Sequence, residues 1–531
     1  MRGRQSFLTT KSIIQEELKI KELVNNSIKQ SKPINRDYRL EKSMSNDQDR
    51  VFYSILSNLD GVKYIRGDAG TGKTYLIQNL KTAIESSDNQ VFVYAPTSIA
   101  GRKVLREEVT KDANTIQNLL SNPKVQNKIN SNSVIFIDEA GMIGYSDMIL
   151  LLQLRQKTNC KMILVGDTKQ HASVSRGDAL RYIETNTNIN TLALQDNRRQ
   201  SDPEYKKAVN QLAQKDVKSA FKTLDNIGAI KEISSSTQRY NAIAKEYTNK
   251  IKLYRSWDEA QKQILIVTPT HAESSVITNR LRKELKKQKH IDILDHKYTI
   301  LVDKRYTNSQ KENSNIYNKG DIILFNQNAT GGFIRGDQYV IYIDKNTHEP
   351  LIQKLDNQNN KIADTAKIPL PITQANKFSV LTQEEIKLSK GDLIQFTNAT
   401  KTTTSTILKG STHCIKDILL ETQNNNRKQP IIITLDNNQT LQPNFSHIKH
   451  GYTSTSYSSQ GRTVNNLIIS QSDISLPASS FQQGYVSTSR GKATISIFTD
   501  NKANLQRSIS ISREREFGSN LQNARDRGLG I

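Results

Sequence analysis

The sequence is poor in cysteine and histidine, and no apolar run in it approaches the length of a membrane span. Its two cysteines, Cys160 and Cys414, exclude a disulfide framework and a cysteine zinc site, which fits a reducing cytoplasm. A membrane-spanning helix needs about 20 consecutive apolar residues, so we expect no membrane insertion. No apolar segment follows the first residues, which predicts that there is no secretory signal. Among the eight histidines only His447 and His450 have a metal-ligand spacing, and these two are interpreted as surface residues.

Acidic residues are outnumbered, since 75 lysines and arginines face 52 aspartates and glutamates and leave a net charge of +23. Such an excess favours a polyanionic partner, most simply nucleic acid, with salt-dependent binding. The alternative is a compositional bias toward Lys, Asn and Ile in an AT-rich genome, which the abundant Asn, Gln, Lys and Ser support. Charge alone leaves both interpretations open. At 531 residues the chain is long enough for three or four domains.

A glycine-rich loop between a strand and a helix is the most informative stretch. Residues 67–74, Gly-Asp-Ala-Gly-Thr-Gly-Lys-Thr, fit the phosphate-binding pattern G-x-x-x-x-G-K-[ST]. We expect a helix to begin at about Gly72, with Lys73 on the β- and γ-phosphates of a nucleoside triphosphate and the Thr74 hydroxyl on Mg²⁺. The alternative is a glycine-rich turn of an unrelated α/β protein. The residues expected to bind the nucleotide here are Gly67, Ala69, Gly70, Thr71, Gly72, Lys73 and Thr74.

Polar residues follow two further apolar segments, as expected where parallel strands end at a ligand crevice. The first segment ends in Pro96 and Thr97, which we expect near the nucleotide or beside a bound strand. The second, residues 133–140, ends in an acidic pair. Phosphoryl chemistry needs one carboxylate to hold Mg²⁺ through water and another to polarise the attacking water, roles we assign to Asp138 and Glu139. The alternative is a pair that caps the next helix.

Three other positions suit contact with a nucleotide. Residues 160–170 form a strand and a polar loop, and the Gln170 amide can hydrogen-bond a γ-phosphate. Two adjacent arginines, Arg198 and Arg199, follow another short strand, and one guanidinium there could clamp the transferring phosphoryl group. Upstream, Gln48 stands where a glutamine amide can read an adenine edge, although by itself it is typical of an ordinary surface position.

Changes of composition divide the chain into six segments. From about residue 300 to 445 the sequence is β-rich, with short alternating runs and Asn/Gly turns. Residues 319–325 recur as 390–396, which predicts two small barrel-like modules inserted between the halves of a second sheet domain. The predicted segments are a helical start, 1–44, a first sheet domain, 45–190, the first part of a second, 191–299, a β-rich insertion, 300–445, the second part, 446–500, and a polar tail with a loose helix, 501–531.

Hydroxyl, glutamine and glycine residues are concentrated in residues 451–463 and 485–491. Small donors of this kind suit contacts with a nucleic-acid backbone, and tyrosines among them can stack on bases. The residues expected to contact DNA are Pro96, Thr97, Tyr452, Thr455, Tyr457, Ser459 and Gln460.

These motifs, in this order, resemble superfamily 1 helicases, in particular the RecD-like branch that includes the helicase half of TrwC/TraA-type (MobF) conjugative relaxases. The resemblance implies an α/β fold: two RecA-like P-loop parallel-sheet domains, with an SH3-like β-barrel insertion in the second. It implies that ATP and Mg²⁺ bind between the domains and that the protein moves 5′ to 3′ on single-stranded DNA. By resemblance, Gln48 reads adenine, Gly461 belongs to motif V at the nucleotide, and the catalytic residues are Lys73, Asp138, Glu139, Gln170, Arg199 and Arg490.

Two departures accompany the resemblance. Tyr457 stands where many relatives have a histidine, and the first histidine of the chain is His171, so the three-histidine cluster of a nicking domain is missing. We therefore interpret the sequence as the ATP-hydrolysing helicase portion of a split or truncated relaxase, without nicking activity. Its implied partners are single-stranded DNA or a tailed duplex, together with a separate relaxase fragment or another conjugation protein. The alternatives are a RecD-like repair helicase and a decayed ATPase that binds DNA without unwinding it.

Overall fold

The computed structural model describes residues 9–98, 100, 105–356, 366–401, 406–422, 428–441 and 445–521. The chain divides into two compact units. The first contains the residues up to Leu281 and those from Thr453 onward, and the second comprises Arg282–Tyr452. No helix within the described ranges is long and apolar enough to cross a bilayer.

The N-terminal part of the first unit, lobe 1, is a six-stranded parallel sheet with helices on both faces. Its strands are β1 Val62–Gly67, β2 Gln90–Ala95, β3 Asn114–Thr115, β4 Ser133–Ile137, β5 Lys161–Gly166 and β6 Thr191–Leu194. Its helices are α1 Lys11–Asn25, α2 Asn46–Ser57, α3 Lys73–Glu85, α4 Leu105–Glu108, α5 Ile116–Ser121, α6 Pro123–Gln126, α7 Tyr145–Thr158 and α8 Ala179–Asn186.

The sheet of lobe 1 has the strand order β3-β2-β4-β5-β1-β6. Its inner strands β4 and β5 are buried along their whole length, because a parallel sheet covered on both faces has no side that meets water. Helices α1, α7 and α8 pack on one face, and α2 and α3 pack on the other. The loop of residues 67–74 therefore leaves the sheet at the carboxyl end of an inner strand, between the neighbours β5 and β6.

The chain then enters a second lobe of the same unit, lobe 2. Its first elements are α9 Pro203–Ala213, α10 Val217–Asn226, β7 Ile230–Glu232, α11 Ser236–Ile251, α12 Trp257–Gln263, β8 Ile264–Thr268 and α13 His271–Lys287, whose last turns from Arg282 onward belong to the second unit. Helix α10 has a strongly one-sided apolar face, which packs with α9 onto the sheet of lobe 2.

The second unit is antiparallel and rich in strands. Its elements are β9 His296–Asp303, α14 Asn308–Lys311, β10 Ile322–Phe325, β11 Gln338–Ile343, β12 Pro350–Lys354, β13 Ile368–Pro369, β14 Phe378–Leu388, β15 Leu393–Phe396, β16 Thr400–Lys401, β17 Thr406–Ile407, β18 Thr412–Thr422, β19 Lys428–Leu435 and β20 Ile448–His450. They form a six-stranded sheet, β13-β12-β11-β10-β14-β9, a four-stranded sheet, β19-β18-β15-β20, and the pair β16-β17.

The two Lys-Gly-Asp segments of the second unit make the same set of backbone hydrogen bonds. The Gly320 amide donates to Ile341 and the Ile341 amide to Asp321; likewise the Gly391 amide donates to Ile415 and the Ile415 amide to Asp392. Both glycines have positive φ, +91° and +88°, a conformation that costs other residues energy. The repeat seen in the sequence is therefore a repeated turn in the structure.

After Tyr452 the chain returns to lobe 2 with β21 Thr453–Thr455, α15 Ser456–Ser459, β22 Val464–Gln471, α16 Phe481–Thr488, β23 Gly491–Thr499 and α17 Lys502–Ile509. All strand pairs in the resulting sheet, β21-β8-β22-β23-β7, are parallel. The predicted α/β fold with two RecA-like parallel-sheet lobes is confirmed. The SH3-like character of the β-rich insertion and the six segment boundaries stay predictions.

Residues 511–519, which we call the strap, run from lobe 2 to lobe 1. At the lobe 2 end the Phe481 amide donates to the Ile511 carbonyl, and Lys215 pairs with Glu514. At the lobe 1 end Phe517 is buried against Tyr182. The sequence predicts a polar tail with a loose helix over residues 501–531; the structure has the helix α17, and the packing beyond it differs from the prediction because Phe517 supplies an apolar anchor. The first eight and last ten residues of the predicted start and tail lie outside the described residues.

Candidate nucleotide site

The loop of residues 67–74 has the backbone shape that its glycines predict. Gly70 and Gly72 have φ of +85° and +74°, and α3 begins at Lys73 with Gly72 as its N-cap. A Cβ atom on Gly70 would lie 2.5 Å from Asn197 Oδ1 and 2.7 Å from Arg199 Cβ. Glycine is therefore required both by the left-handed conformation and by the close approach of the segment that follows β6.

Lys73 reaches back over the loop, where its Nζ donates to the carbonyl oxygens of Gly67, at 2.8 Å, and Asp68, at 3.4 Å. Thr71 Oγ1 also donates to the Asp68 carbonyl, and Thr74 lies half-buried in the first turn of α3. Ala69 is buried within the loop. The ammonium group and the helix N-terminus are thus placed together where a phosphate chain would bind.

Gln48 supports the glycine-rich loop by hydrogen bonds to its backbone. Its side chain is buried, and Nε2 donates to the carbonyl oxygens of Thr71, at 3.2 Å, and Gly72, at 3.4 Å. Its Oε1 accepts from the Ser45 amide in a capping box at the start of α2. Gln48 is therefore no ordinary surface residue, and its contact with an adenine stays a prediction.

The acidic pair lies at the end of β4. Burial, reinforced by the neighbouring Glu139 carboxylate, raises the pKa of Asp138 to about 7, while Lys73 acts in the opposite direction. Glu139 has a φ of +51°, a left-handed conformation that is unfavourable for a residue with a side chain. The arrangement holds two carboxylates near Lys73, and Asp138 with Thr74 could hold a divalent cation there through water.

Gln170 follows β5 in a loop that is tied to the glycine-rich loop. Its Nε2 donates to Asp167 Oδ2 at 3.1 Å, and Lys169 Nζ pairs with Asp68 at 2.7 Å. Gln170 Oε1 is buried and has no hydrogen-bond partner among the residues that the structure describes. A buried unpaired polar atom is costly, which indicates a position meant to meet a ligand or water.

Two guanidinium groups complete the site, that of Arg490 fully buried and that of Arg199 half-buried. Arg199 Nη1 donates to the Ser489 carbonyl at 2.8 Å, and Arg490 Nε donates to the Val486 carbonyl at 2.9 Å. Neither forms an ion pair with a carboxylate in the described part of the chain. Burial, together with the positive charge of Arg490, lowers the pKa of Arg199 to about 10. Burial likewise lowers the pKa of Arg490, although Glu139 opposes this shift.

Guanidiniums with little access to water and no direct ion pair are costly, and a bound polyphosphate would add negative charge to that of the nearby Glu139. Arg199 lies beside Gly70 of the glycine-rich loop, and Arg490 comes from lobe 2. Lys73, the two carboxylates, the unpaired amide oxygen of Gln170 and both guanidiniums therefore fit a nucleoside triphosphate with its cation. No cluster of three or more His, Cys, Asp and Glu side chains that could hold a metal alone occurs in the described ranges.

Lobe 2 also contacts this site through the segment of α15. Gln460 Nε2 donates to Glu139 Oε2 at 3.3 Å, and Gln460 Oε1 is buried without a partner in the described residues. His171 Nε2 lies 3.0 Å from Ser456 Oγ, and its ring lies 5.6 Å from that of Tyr457. Gly461 has a φ of +78° and open space around it. The prediction that this segment meets the nucleotide site is consistent with the Gln460 contact.

The residues predicted to contact DNA have different surroundings. Pro96 and Thr97 are half-buried at the end of β2, and Thr97 Oγ1 accepts from the Ala100 amide at 3.2 Å. Thr455 Oγ1 caps α15 by accepting from the Ser458 amide, and Tyr457 is partly exposed. These positions could meet a nucleic acid, and their DNA contacts stay predictions.

Three surface assignments need correction. Tyr452 is 1% exposed, and its hydroxyl donates to Asp392 Oδ1 at 2.8 Å, so its ring offers no face to a base. Ser459 is fully buried, and its hydroxyl donates to the Ser456 carbonyl at 2.7 Å instead of a DNA backbone. His447 is buried as well, within hydrogen-bond reach of Gln338. All three side chains are therefore enclosed by the protein.

Sequence comparison agrees with this site. Residues 43–235 match the model of a family described as an AAA domain. The chain is 22% identical over 574 aligned residues to the multifunctional conjugation protein TraI of Escherichia coli K12, which covers 94% of this chain and 30% of TraI. It is 25% identical over 146 residues to the probable conjugal transfer protein TraA of Sinorhizobium fredii, over 27% of this chain and 13% of TraA. The predicted resemblance to conjugation proteins of this type is confirmed.

The chain spans less than a third of the length of TraI. Among solved structures, the Pif1 helicase from Bacteroides in complex with ADP-AlF3 and ssDNA has a TM-score of 0.43 at 16% identity, covering 92% of this chain and 99% of that one.

Sequence reasoning missed two contact residues at this site, His171 and Tyr485, because their partners lie 285 and 318 residues away along the chain.

Proposed function

We propose that this protein hydrolyses ATP, with Mg²⁺, to move along single-stranded DNA in the 5′ to 3′ direction and unwind duplex DNA. We further propose that it acts in conjugal DNA transfer, as a helicase of the kind that conjugative relaxases contain. The similarity to TraI over 94% of the chain supports this pathway, and the two buried cysteines, which form no disulfide, suit a cytoplasmic setting.

The observation that carries the proposal is a pair of guanidiniums, Arg199 beside the glycine-rich loop and Arg490 from lobe 2, that form no direct ion pair within the described residues. Lys73 and Thr74 would bind the phosphates and the cation, with Asp138 holding that cation through water. Glu139 would take the proton of the attacking water. Arg199 and Arg490 would stabilise the negative charge that develops on the transferred phosphoryl group. Because Arg490 comes from the other lobe, hydrolysis would depend on the position of lobe 2.

The proposal predicts that Arg490→Ala retains nucleotide binding and loses turnover. An arginine finger contributes roughly 10³ to 10⁵ in rate, so steady-state ATP hydrolysis should fall by about that factor. Arg507→Ala, the same substitution at an exposed position of α17, serves as the matched control. Near-normal hydrolysis by Arg490→Ala would remove that arginine from the mechanism.

DNA movement is tested with ATP hydrolysis in the presence and absence of single-stranded DNA, and with strand displacement on tailed duplexes. We expect DNA to stimulate hydrolysis and a 5′-tailed duplex to be unwound. Unwinding of a 3′-tailed duplex alone would contradict the direction. Hydrolysis that DNA leaves unchanged, with no strand displacement, would favour the non-unwinding ATPase instead.

A further inference from the structure

We propose that Tyr485 is a positioning residue: its hydroxyl links lobe 2 to the nucleotide loop of lobe 1 and thereby sets where Arg490 stands. The inference rests on the proposed ATP hydrolysis and adds a residue to it. Tyr485 belongs to α16 of lobe 2. Its hydroxyl accepts a hydrogen bond from the Ala69 amide at 2.9 Å and donates one to Asp167 Oδ2 at 3.0 Å.

Both hydrogen-bonding roles of the hydroxyl are used by lobe 1. A tyrosine hydroxyl has one hydrogen to donate, and here its recipient is Asp167 while the donor to its oxygen is the loop amide. The group is fully buried, and burial together with the charge of Asp167 raises the pKa of Tyr485, so it stays protonated. The bridge therefore has a single arrangement and cannot be replaced by water without opening the contact.

On lobe 1 the bridge ends at a rigid group of contacts. Asp167 Oδ2 also accepts from Gln170 Nε2, and Asp167 Oδ1 accepts from the Lys169 amide at 3.0 Å. Lys169 in turn pairs with Asp68, the residue before Ala69. The hydroxyl thus meets the loop that carries Gln170 and the loop that carries Lys73 at the same point.

On lobe 2, hydrogen bonds among neighbouring residues connect Tyr485 to Arg490. The Ser489 amide donates to the Tyr485 carbonyl at 3.0 Å, and Ser489 Oγ donates to the Val486 carbonyl at 2.9 Å. Arg490 Nε donates to that same carbonyl, and its Nη2 donates to Ser489 Oγ at 3.0 Å. The Tyr485 ring also stacks on Phe481, so an unbroken series of contacts joins Tyr485, the end of α16 and the Arg490 guanidinium.

The test compares Tyr485→Phe with the wild-type full chain. Phenylalanine keeps the ring and its packing and removes only the hydroxyl, which leaves the Ala69 amide and an Asp167 oxygen without a partner. The matched control is Tyr298→Phe, because that buried hydroxyl donates to the Phe445 carbonyl within the second unit. For each protein we would measure DNA-stimulated ATP hydrolysis and the binding of a non-hydrolysable ATP analogue and of ADP with aluminium fluoride.

For Tyr485→Phe we expect kcat to fall about tenfold, with one analogue still bound per chain and its Kd within threefold of wild type. Affinity for ADP with aluminium fluoride should weaken about tenfold, because only a transition-state mimic needs Arg490 in place. A merely structural role would weaken both ligands alike, and that result, or a kcat within twofold of wild type, would overturn the inference. Wild-type protein that neither binds nor hydrolyses ATP would instead overturn the proposed function itself.

Discussion

His171 is a neutral imidazole held at the contact between the lobes. Burial, together with the positive charge of Arg490, lowers its pKa to about 4. Its Nε2 lies 3.0 Å from Ser456 Oγ, at the start of the helix that precedes Gln460. Protonation would place a second positive charge near Arg490, so the contact favours the neutral ring.

The free energy of unfolding should therefore depend on pH through His171. Its folded pKa, about 4, lies below the usual value of about 6.5, so between these pH values the unfolded chain binds more protons. The contribution is complete above pH 6.5 and is lost as the pH falls toward 4. From pH 7 to pH 5 the wild type should lose roughly 1 to 2 kcal/mol more than His171→Asn in denaturant unfolding. His447 shifts in the same direction but is common to both proteins. If the free energy of unfolding depends on pH in the same way in the wild type and in His171→Asn, the lowered pKa of His171 is contradicted.

The residues of the nucleotide site could be predicted where a local sequence motif identifies them. A residue whose surroundings depend on a contact far away along the chain could not be predicted. Lys73 and Thr74 follow from a pattern of eight residues, and Asp138 follows from a strand that ends in acids. Tyr452 was misassigned because its decisive partner, Asp392, lies 60 positions away and nothing in the local sequence reveals it.

At the scale of elements, the repeated turn of the second unit is fastened by a buried aspartate in each copy. Asp392 is fully buried and accepts from Arg282 Nε and Nη2 at 2.9 and 2.8 Å, from the Ser389 amide and from Tyr452. Asp321 accepts from Lys304 Nζ at 2.7 Å. The arginine is held by several charged hydrogen bonds and the lysine by one, so the two copies differ in strength.

This difference predicts unequal costs for the same substitution. Asp392→Asn leaves the buried Arg282 short of a counter-charge and should destabilise its sheet by about 3 kcal/mol. Asp321→Asn should cost less, since Lys304 has a single bond to lose and is nearer to water. Hydrogen exchange at the Ile415 and Ile341 amides, which close the two turns, would measure each effect locally. Equal protection in both variants would contradict the ranking.

The type of an element, helix or strand, was predictable where the apolar residues of its own sequence form the face that it buries. The unbroken apolar runs of β4 and β5 predict buried parallel strands, whereas the Lys-Gly-Asp repeat predicts two barrel-like modules and the structure shows that it forms a repeated turn. The barrel type of the insertion was not predictable in the same way, because its sheet closure depends on strand pairings over long separations, such as β9 with β14.

At the scale of the whole molecule, the strap connects the two lobes outside the nucleotide site. Arg515 donates to the carbonyl oxygens of Ser173, Ser175 and Gly177, in the stretch that follows Gln170. The Gly518 and Ser519 amides donate to the buried Glu17 carboxylate at 3.0 and 2.7 Å. The sequence could not predict this contact, because its polar composition resembles that of an unpacked tail.

Phe517→Ala should release the lobe 1 end of the strap. Phe517 is 4% exposed and lies under the Arg181 guanidinium at 4.1 Å, so its truncation should cost about 3 kcal/mol locally. We expect faster hydrogen exchange at the Gly518 and Ser519 amides and cleavage by protease within residues 511–519. Ile511→Ala, at a position 56% exposed, is the control and should change neither. If the Gly518 and Ser519 amides of Phe517→Ala exchange as slowly as in the wild type, the strap is held by its polar contacts instead.

The only two thiols of the chain are both shielded from solvent, Cys160 beneath the sheet of lobe 1 and Cys414 in the β-rich unit. A maleimide dye therefore has no native target in the folded protein. One cysteine added to the outer surface of each lobe would report the separation of the lobes by energy transfer, turnover by turnover, in an otherwise natural chain.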